Sequence, residues 1–426
     1  MSVLKDFSSS AFVAGFIAVL IGFASASAIV FQAAQAAGAN ALQIESWIWA
    51  LGIGMGFTTF GLSLYFKRPL IIVWSTPGAA LLASSLQGSG LAETTGTFIF
   101  VGLLIVVLGI SGLFNKLAQL IPMPIASAML AGILLQFGIG IFTAISVDAS
   151  LVLAMLATYI LLKFTLPRYT ILGVLAVGTA ICLLNGSVDI TAIEFRLASP
   201  EWVTPEFSFA SIIGIGIPLF IVTMASQNLP GVAILKSSGY AQQNVSPIMT
   251  VTGLSTVILA PFGGFTFNLA AITAAICTSD ECHSDPSKRY ISGLSAGVFN
   301  VLAGLFGATV VSLFAAFPVT MVAALAGLAL VSTISSSLTS ALAEPSQREA
   351  AIIAFLVTAS GLSFLGIASA FWGVILGLLV LKVAELKKSF PEGIDYSIVY
   401  DPTVFVQGSI KAVIKTLLEA VALVVL

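Results

Sequence analysis

The sequence predicts an all-α polytopic membrane protein of fourteen transmembrane segments, arranged as a seven-plus-seven inverted repeat, with short strands interrupting the third and tenth segments. Three observations predict it. Of 426 residues, 58% are hydrophobic and 8% are charged. The basic residues gather at one set of segment ends. Two segments, each third in its half, carry sequences that resist a continuous helix.

Composition comes first. A soluble domain has about 45–50% apolar and about 25% charged residues, so this chain cannot build a water-facing surface. Its mean hydropathy is +1.12. A net charge of −2 with no basic patch excludes nucleic-acid binding, and the hydrophobicity excludes disorder. The 38 glycines suit membrane helices that approach closely. Cys182, Cys277 and Cys282 make no disulfide framework. Cys277, Cys282 and His283 lack a second ligand pair, so no metal or cofactor is expected. The N-terminal MSVLKDFSSS leads into a first span and shows no cleavage site of the signal-peptide type.

A span needs about 20 apolar residues. Apolar runs between charged or Pro/Gly-rich breaks fall at 11–34, 46–66, 70–87, 95–115, 122–146, 149–166 and 168–186 in the first half. The second half gives 208–230, 243–261, 264–280, 289–312, 315–341, 347–366 and 369–387. With a cytoplasmic N-terminus, Lys5, Lys67, Arg68, Lys116, Lys163, Arg168 and Lys236 all sit at cytoplasmic ends. So do Lys288, Arg289, Arg348, Lys382, Lys387 and Lys388, and Arg196 alone falls outside. That bias obeys the positive-inside rule. The outer loops carry acids instead: Glu45, Glu93, Asp148, Asp189, Glu194, Glu201 and Glu206. The N-terminus and residue 388 are thus expected to be cytoplasmic, and the expected location is a bacterial-type inner membrane. Seven spans per half is odd, so the second half enters from the opposite side, the arithmetic of an inverted repeat.

The third segment reads Pro69-Leu-Ile-Ile-Val-Trp-Ser-Thr-Pro-Gly. Its β-branched run favours extended backbone, Thr76 before a proline is pushed the same way, and Pro77 suits a first helical turn. The tenth reads Pro261-Phe-Gly-Gly-Phe-Thr-Phe-Asn-Leu-Ala-Ala, with Asn268 placed to cap a half-helix. Each therefore predicts a strand followed by a half-helix. Irregular backbone at membrane depth survives only when buried in protein or lining a cavity. Two half-helix N-termini meeting near the midplane make an anion site. The candidate substrate-binding residues are Ser75, Thr76, Gly78, Gln227, Asn228 and Asn268, with Phe265 and Phe267 as ring-holding neighbours beside Trp74. The competing structural readings are kinks for the Pro/Gly segments, interhelical hydrogen bonds for Gln227 and Asn228, and lipid contact for the rings.

At these segments the chain resembles the BenE-type benzoate/proton symporters, through TPGAAL (76–81), MASQNLPGVAIL (224–235) and APFGGFTFNLAAITAAIC (260–277). The likeness covers roughly residues 8–387. It implies secondary uptake of benzoate with protons, and a fold like that of nucleobase transporters. On that plan residues 8–120 and 208–312 form a core domain, 121–187 and 313–388 a gate, and 188–207 an extracytoplasmic loop. Substrate is implied between the broken segments, beside the eighth. The implied partners are a small aromatic carboxylate, protons and the lipid bilayer, with a homodimer left open. Nucleobase transporters carry acids where Gln227 and the Phe267–Asn268 pair stand here. Intramembrane ionisable groups are the usual proton relays, yet these spans contain almost none, so the substrate itself is the candidate proton carrier. The competing readings are a nucleobase or inorganic-anion carrier of the same fold and, from another class, a membrane enzyme. No nucleophile–base pair or phosphate loop supports the last.

Residues 389–426 change in composition and resemble a fragment of a resistance–nodulation–division efflux pump. Only about ten apolar residues follow Lys415, too few to span. The expectation is an appended tail, from a fusion or frameshift, with no part in transport.

Overall fold

The computed structural model describes residues 3–86, 90–114, 122–188, 193–240, 242–365 and 367–387. Lys116, Asp189, Lys388 and the tail 389–426 lie outside these residues. The described chain is helical, with one two-stranded sheet. In the first half, α1 (Ser9–Ala36) and α2 (Ala41–Phe66) lead into β1 (Ile72–Trp74), α3 (Thr76–Ser85) and α4 (Leu91–Ser111). Then follow α5 (Met123–Ile145), α6 (Ala149–Thr165) and α7 (Thr170–Leu184). In the second half α8 (Phe209–Tyr240) and α9 (Ser246–Leu259) lead into β2 (Phe267–Leu269) and α10 (Ile272–Thr278). The chain continues as α11 (Tyr290–Leu305), α12 (Gly307–Ala316), α13 (Val319–Leu342), α14 (Arg348–Ala359) and α15 (Ser369–Lys387).

Among the described residues six helices are long and apolar enough to cross a membrane by themselves, or seven if Pro286–Leu305 and Gly307–Ala316 count together as one bent span. Four shorter apolar helices accompany them. The architecture is thus polytopic, and this criterion reaches a smaller number than the fourteen expected. One expected span changes shape. Segment 289–312 is not a single rod: the chain bends by 65° between α11 and α12.

Local sequence explains most boundaries. Asn40 and Gln43 form a reciprocal capping box at the start of α2, and Asp148 accepts from the Leu151 amide at the start of α6. In α8, π turns occupy Ile212–Gly216 and Met224–Asn228. Each stands just before a proline, Pro218 or Pro230. A proline removes one helix donor and clashes with the carbonyl four residues back; a widened turn relieves both.

Packing between helices relies on missing side chains. A Cβ on Gly52 of α2 would lie 2.4 Å from Gly304 Cα of α11. One on Gly253 of α9 would lie 2.7 Å from the Val106 amide of α4. Dispersion and close backbone approach hold membrane helices together where no hydrophobic difference exists between protein and lipid.

Residues 193–207 lie across one end of the bundle as an extended strap. Ala198 donates to Leu305 O, Glu201 to Ser46 Oγ, Val203 to Pro261 O and Glu206 to Ala92 O. Arg196 donates to both carboxylate oxygens of Glu45 and to Glu194. Glu45, expected from sequence as a loop acid, is therefore a buried residue of α2, 4% exposed, held by a bidentate arginine. The arginine pairing offsets part of the cost of taking that carboxylate out of water.

Candidate functional site

The two broken segments meet. β1 and β2 pair antiparallel, with Ile72 opposite Leu269, Val73 opposite Asn268 and Trp74 opposite Phe267. Two short strands do not stand alone, so their outer edges need partners. Those of β1 come from α2 at every fourth residue. Ser63 Oγ accepts from the Leu70 amide at 3.1 Å, Thr59 Oγ1 from Ile72 at 2.9 Å, and Met55 Sδ from Trp74 at 3.1 Å. The hydroxyls of Ser63 and Thr59 also donate back to the carbonyls of Leu70 and Ile72. On β2, Thr256 Oγ1 accepts from the Phe267 amide and Asn228 Oδ1 from the Leu269 amide at 3.0 Å.

α3 begins as expected. Ser75 Oγ accepts from the Gly78 amide at 3.0 Å, and Pro77 has no donor to satisfy. α10 does not. Asn268 was expected to cap it, but lies inside β2, four residues before the helix starts at Ile272. Pairing with Val73 holds it extended. Its Nδ2 donates to Thr266 O, while Oδ1 is buried without a partner. The first turn of α10 has no side-chain cap at all.

Beside the start of each half-helix lies a cavity of about 610 Å³. On one side it is lined by Thr76 and Trp74, by Ala271 and Thr273 of the second break, and by Ser226 and Gln227 of the π turn in α8. α1 contributes Phe23, whose ring meets Trp74 edge-on at 4.8 Å and 70°. Across from these stand α6, α7 and α13, through Tyr159, Lys163, Thr170, Leu328, Ser332 and Ser336. Neither Thr76 nor Gln227 makes a side-chain hydrogen bond to a described residue, so a hydroxyl and a primary amide face the space with their valences free. No carboxylate lines it among the described residues.

The eight residues singled out in the sequence thus separate into two groups. Thr76 and Gln227 reach the cavity. Ser75, Gly78, Asn228 and Asn268 are buried in the scaffold that shapes it. Phe265 packs with Trp47 and Phe98 at ring distances of 6.0 and 5.9 Å, and Phe267 fills the gap left by Gly54. Neither ring faces the cavity. Phe23, Thr273 and Lys163 were not anticipated. Phe23 lies in an unbroken helix and Lys163 looked like an ordinary end-of-span lysine; only the tertiary fold brings them here.

Two family models match the chain. The family BenE, described as "Benzoate membrane transport protein", matches residues 5–383. A second family, AcrB/AcrD/AcrF, matches residues 375–426. The chain is 48% identical over 373 residues to the inner membrane protein YdcO of Escherichia coli (strain K12), covering 88% of this chain and 95% of that one. It is 42% identical over 375 residues to the benzoate membrane transport protein of Acinetobacter baylyi, with the same two coverages. In fold it is similar to the transmembrane domain of a cyanobacterial bicarbonate transporter, BicA, at 18% identity and TM-score 0.58, covering 88% of this chain and 96% of that one. It is also similar to SLC26A9, at 14% identity and TM-score 0.60, covering 95% and 71%. Both relatives and both structural neighbours are membrane proteins, and the family match runs over nearly the whole chain: the chain belongs to the BenE benzoate membrane transport family.

Proposed function

We propose that this protein imports benzoate or a similar aromatic carboxylate with protons, by alternating access, across a bacterial inner membrane. The observation that carries the reading is one cavity in which the Phe23–Trp74 ring pair stands beside the free Thr76 hydroxyl and Gln227 amide. Its volume falls in the range of about 300–1,000 Å³ usual for small-molecule sites. The rings suit a flat aromatic body, and the hydroxyl, the amide and the uncapped turn of α10 supply donors for a carboxyl group. A nucleobase presents N–H groups that want acceptors, which a cavity lined by no carboxylate serves poorly. An inorganic anion has no use for the rings. The names of the two relatives, an inner membrane protein and a benzoate membrane transport protein, point the same way.

Fourteen crossings in two inverted halves remain the preferred plan. Packing supports it, since the main helix partners recur when seven is added to each segment's position. α2 with α11 is second with eleventh, and α9 with α4 is ninth with fourth; α14 with α15 is likewise matched by α6 with α7. The cavity lies between the segments assigned to the core and those assigned to the gate. With a cytoplasmic N-terminus its Lys163–Ser336 end faces inward.

With no acid on the wall among the described residues, the substrate is the proton carrier. An aromatic carboxylic acid has a pKa near that of Asp or Glu, about 4, and desolvation between rings raises it. Moving the anion with a proton is equivalent to moving the neutral acid. Purified protein in liposomes tests this: labelled benzoate is expected to accumulate when an inward-directed proton gradient is imposed, and uracil and sulfate are not. Benzoate uptake indifferent to the gradient removes the coupling; no benzoate uptake removes the reading.

A further inference from the structure

The cavity lining carries one formal charge among the described residues, the Lys163 ammonium in the last turn of α6. Its Nζ donates to Ser332 Oγ of α13 at 2.7 Å, so the charge is held across the space between two helices of the wall facing the rings. No carboxylate pairs with it among the described residues. An ammonium has three donors, and this bond uses one. A solvated lysine at a helix end is commonplace; this one is exposed, lines the cavity and is tied to the neighbouring helix of the same wall.

We propose that Lys163 selects carboxylate over neutral aromatic cargo. This rests on the aromatic-carboxylate reading above. An uncompensated cation beside low-dielectric walls attracts the carboxylate of a cargo bound next to it. Ser332 fixes where the cation waits, and two free N–H groups remain to take a carboxylate oxygen without breaking that bond. Beyond it the Phe23–Trp74 wall accepts the ring. Recognition is thereby divided: Lys163, at the inward end, reads the charge of the bound cargo and the ring pair reads its flat apolar body.

The test measures binding of benzoate and of its neutral isostere benzamide to the full-length protein in detergent. The unmodified protein is expected to prefer benzoate. Lys163→Gln is expected to lose about tenfold in benzoate affinity, the scale of one unit-charge attraction in a partly hydrated site, with benzamide binding unchanged. Lys163→Arg is expected to keep the preference. Unaltered benzoate affinity in Lys163→Gln, or equal losses for both ligands, overturns the proposal. If the unmodified protein binds neither ligand, the aromatic-carboxylate reading is what fails. Should Lys163→Gln not fold, the salt dependence of the unmodified protein decides: benzoate binding that weakens with salt while benzamide binding stays flat supports the proposal, and salt-independent benzoate binding overturns it.

Discussion

Replacing Thr59 with valine keeps the shape of a fully buried side chain and deletes its hydroxyl. That hydroxyl accepts from the Ile72 amide at 2.9 Å and donates to the Ile72 carbonyl at 3.2 Å, on the edge of β1 that β2 does not cover. Each lost bond is worth about 0.5–1.5 kcal/mol net, with measured values in membrane bundles near 0.6 kcal/mol. The stranded amide adds roughly 1–3 kcal/mol, because no water reaches it. The expected loss is about 2–4 kcal/mol, enough to lower the melting temperature in detergent by roughly 5 °C. Benzoate affinity should fall as well, since Trp74 follows Ile72 by two residues and lines the cavity. Thr59→Ser keeps both bonds and gives up one methyl group, so it should melt well above Thr59→Val. The assay is thermal unfolding of purified protein with and without benzoate. If Thr59→Val melts like the unmodified protein, or if Thr59→Ser melts as low as Thr59→Val, the hydroxyl edge does not hold β1 and the reasoning fails.

Further outcomes follow from the same geometry. Trp74→Ala removes one of the two paired rings, and benzoate binding measured by calorimetry should weaken about threefold to tenfold, the value of an aromatic pair of about 0.5–1.5 kcal/mol. Gln227→Glu puts an acid on the wall, and like-charge repulsion should lower benzoate affinity at neutral pH in the same calorimetry, while benzamide binding changes little. Removing residues 389–426 should leave uptake intact in protein that inserts normally, checked by the liposome assay. Cys282 sits in the connection before α11, where burial pushes its thiol above the ordinary value. It is therefore less ionised than a free thiol at neutral pH, and maleimide should label it slowly in folded protein and quickly after denaturation, as read by mass spectrometry.

Much of the fold was legible because membrane burial writes a strong signal. The strand-then-helix reading of 70–87 and 264–280 came from β-branched runs beside Pro77 and the Gly263–Gly264 pair, and both strands are present. The error at Asn268 is instructive. Asparagine is a good helix cap in isolation, but cross-strand pairing with Val73 competes for the same backbone and wins. Phe265 and Phe267 failed as cavity residues because their rings fill the scaffold, Phe265 against Trp47 and Phe98 and Phe267 against Gly54, and these are tertiary contacts that nothing local marks. Phe23 and Lys163 lie in unbroken helices, where nothing local marks the face turned to the cavity. The π turn that presents Gln227 was foreshadowed by Pro230, although the proline alone reads equally well as a kink.

The β1–β2 ribbon has a mechanical consequence. Its backbone bonds, together with that from Ser75 N–H to Thr266 O, tie the beginnings of both half-helices into one stiff crossbar. Thr76 and Thr273, one from each half of the chain, are therefore fixed at a set spacing. Freeing a ligand by prising these two apart would mean unzipping hydrogen bonds where no water waits to replace them. Access to either side is more cheaply granted by sliding the opposite wall of α6, α7 and α13 past an undeformed crossbar.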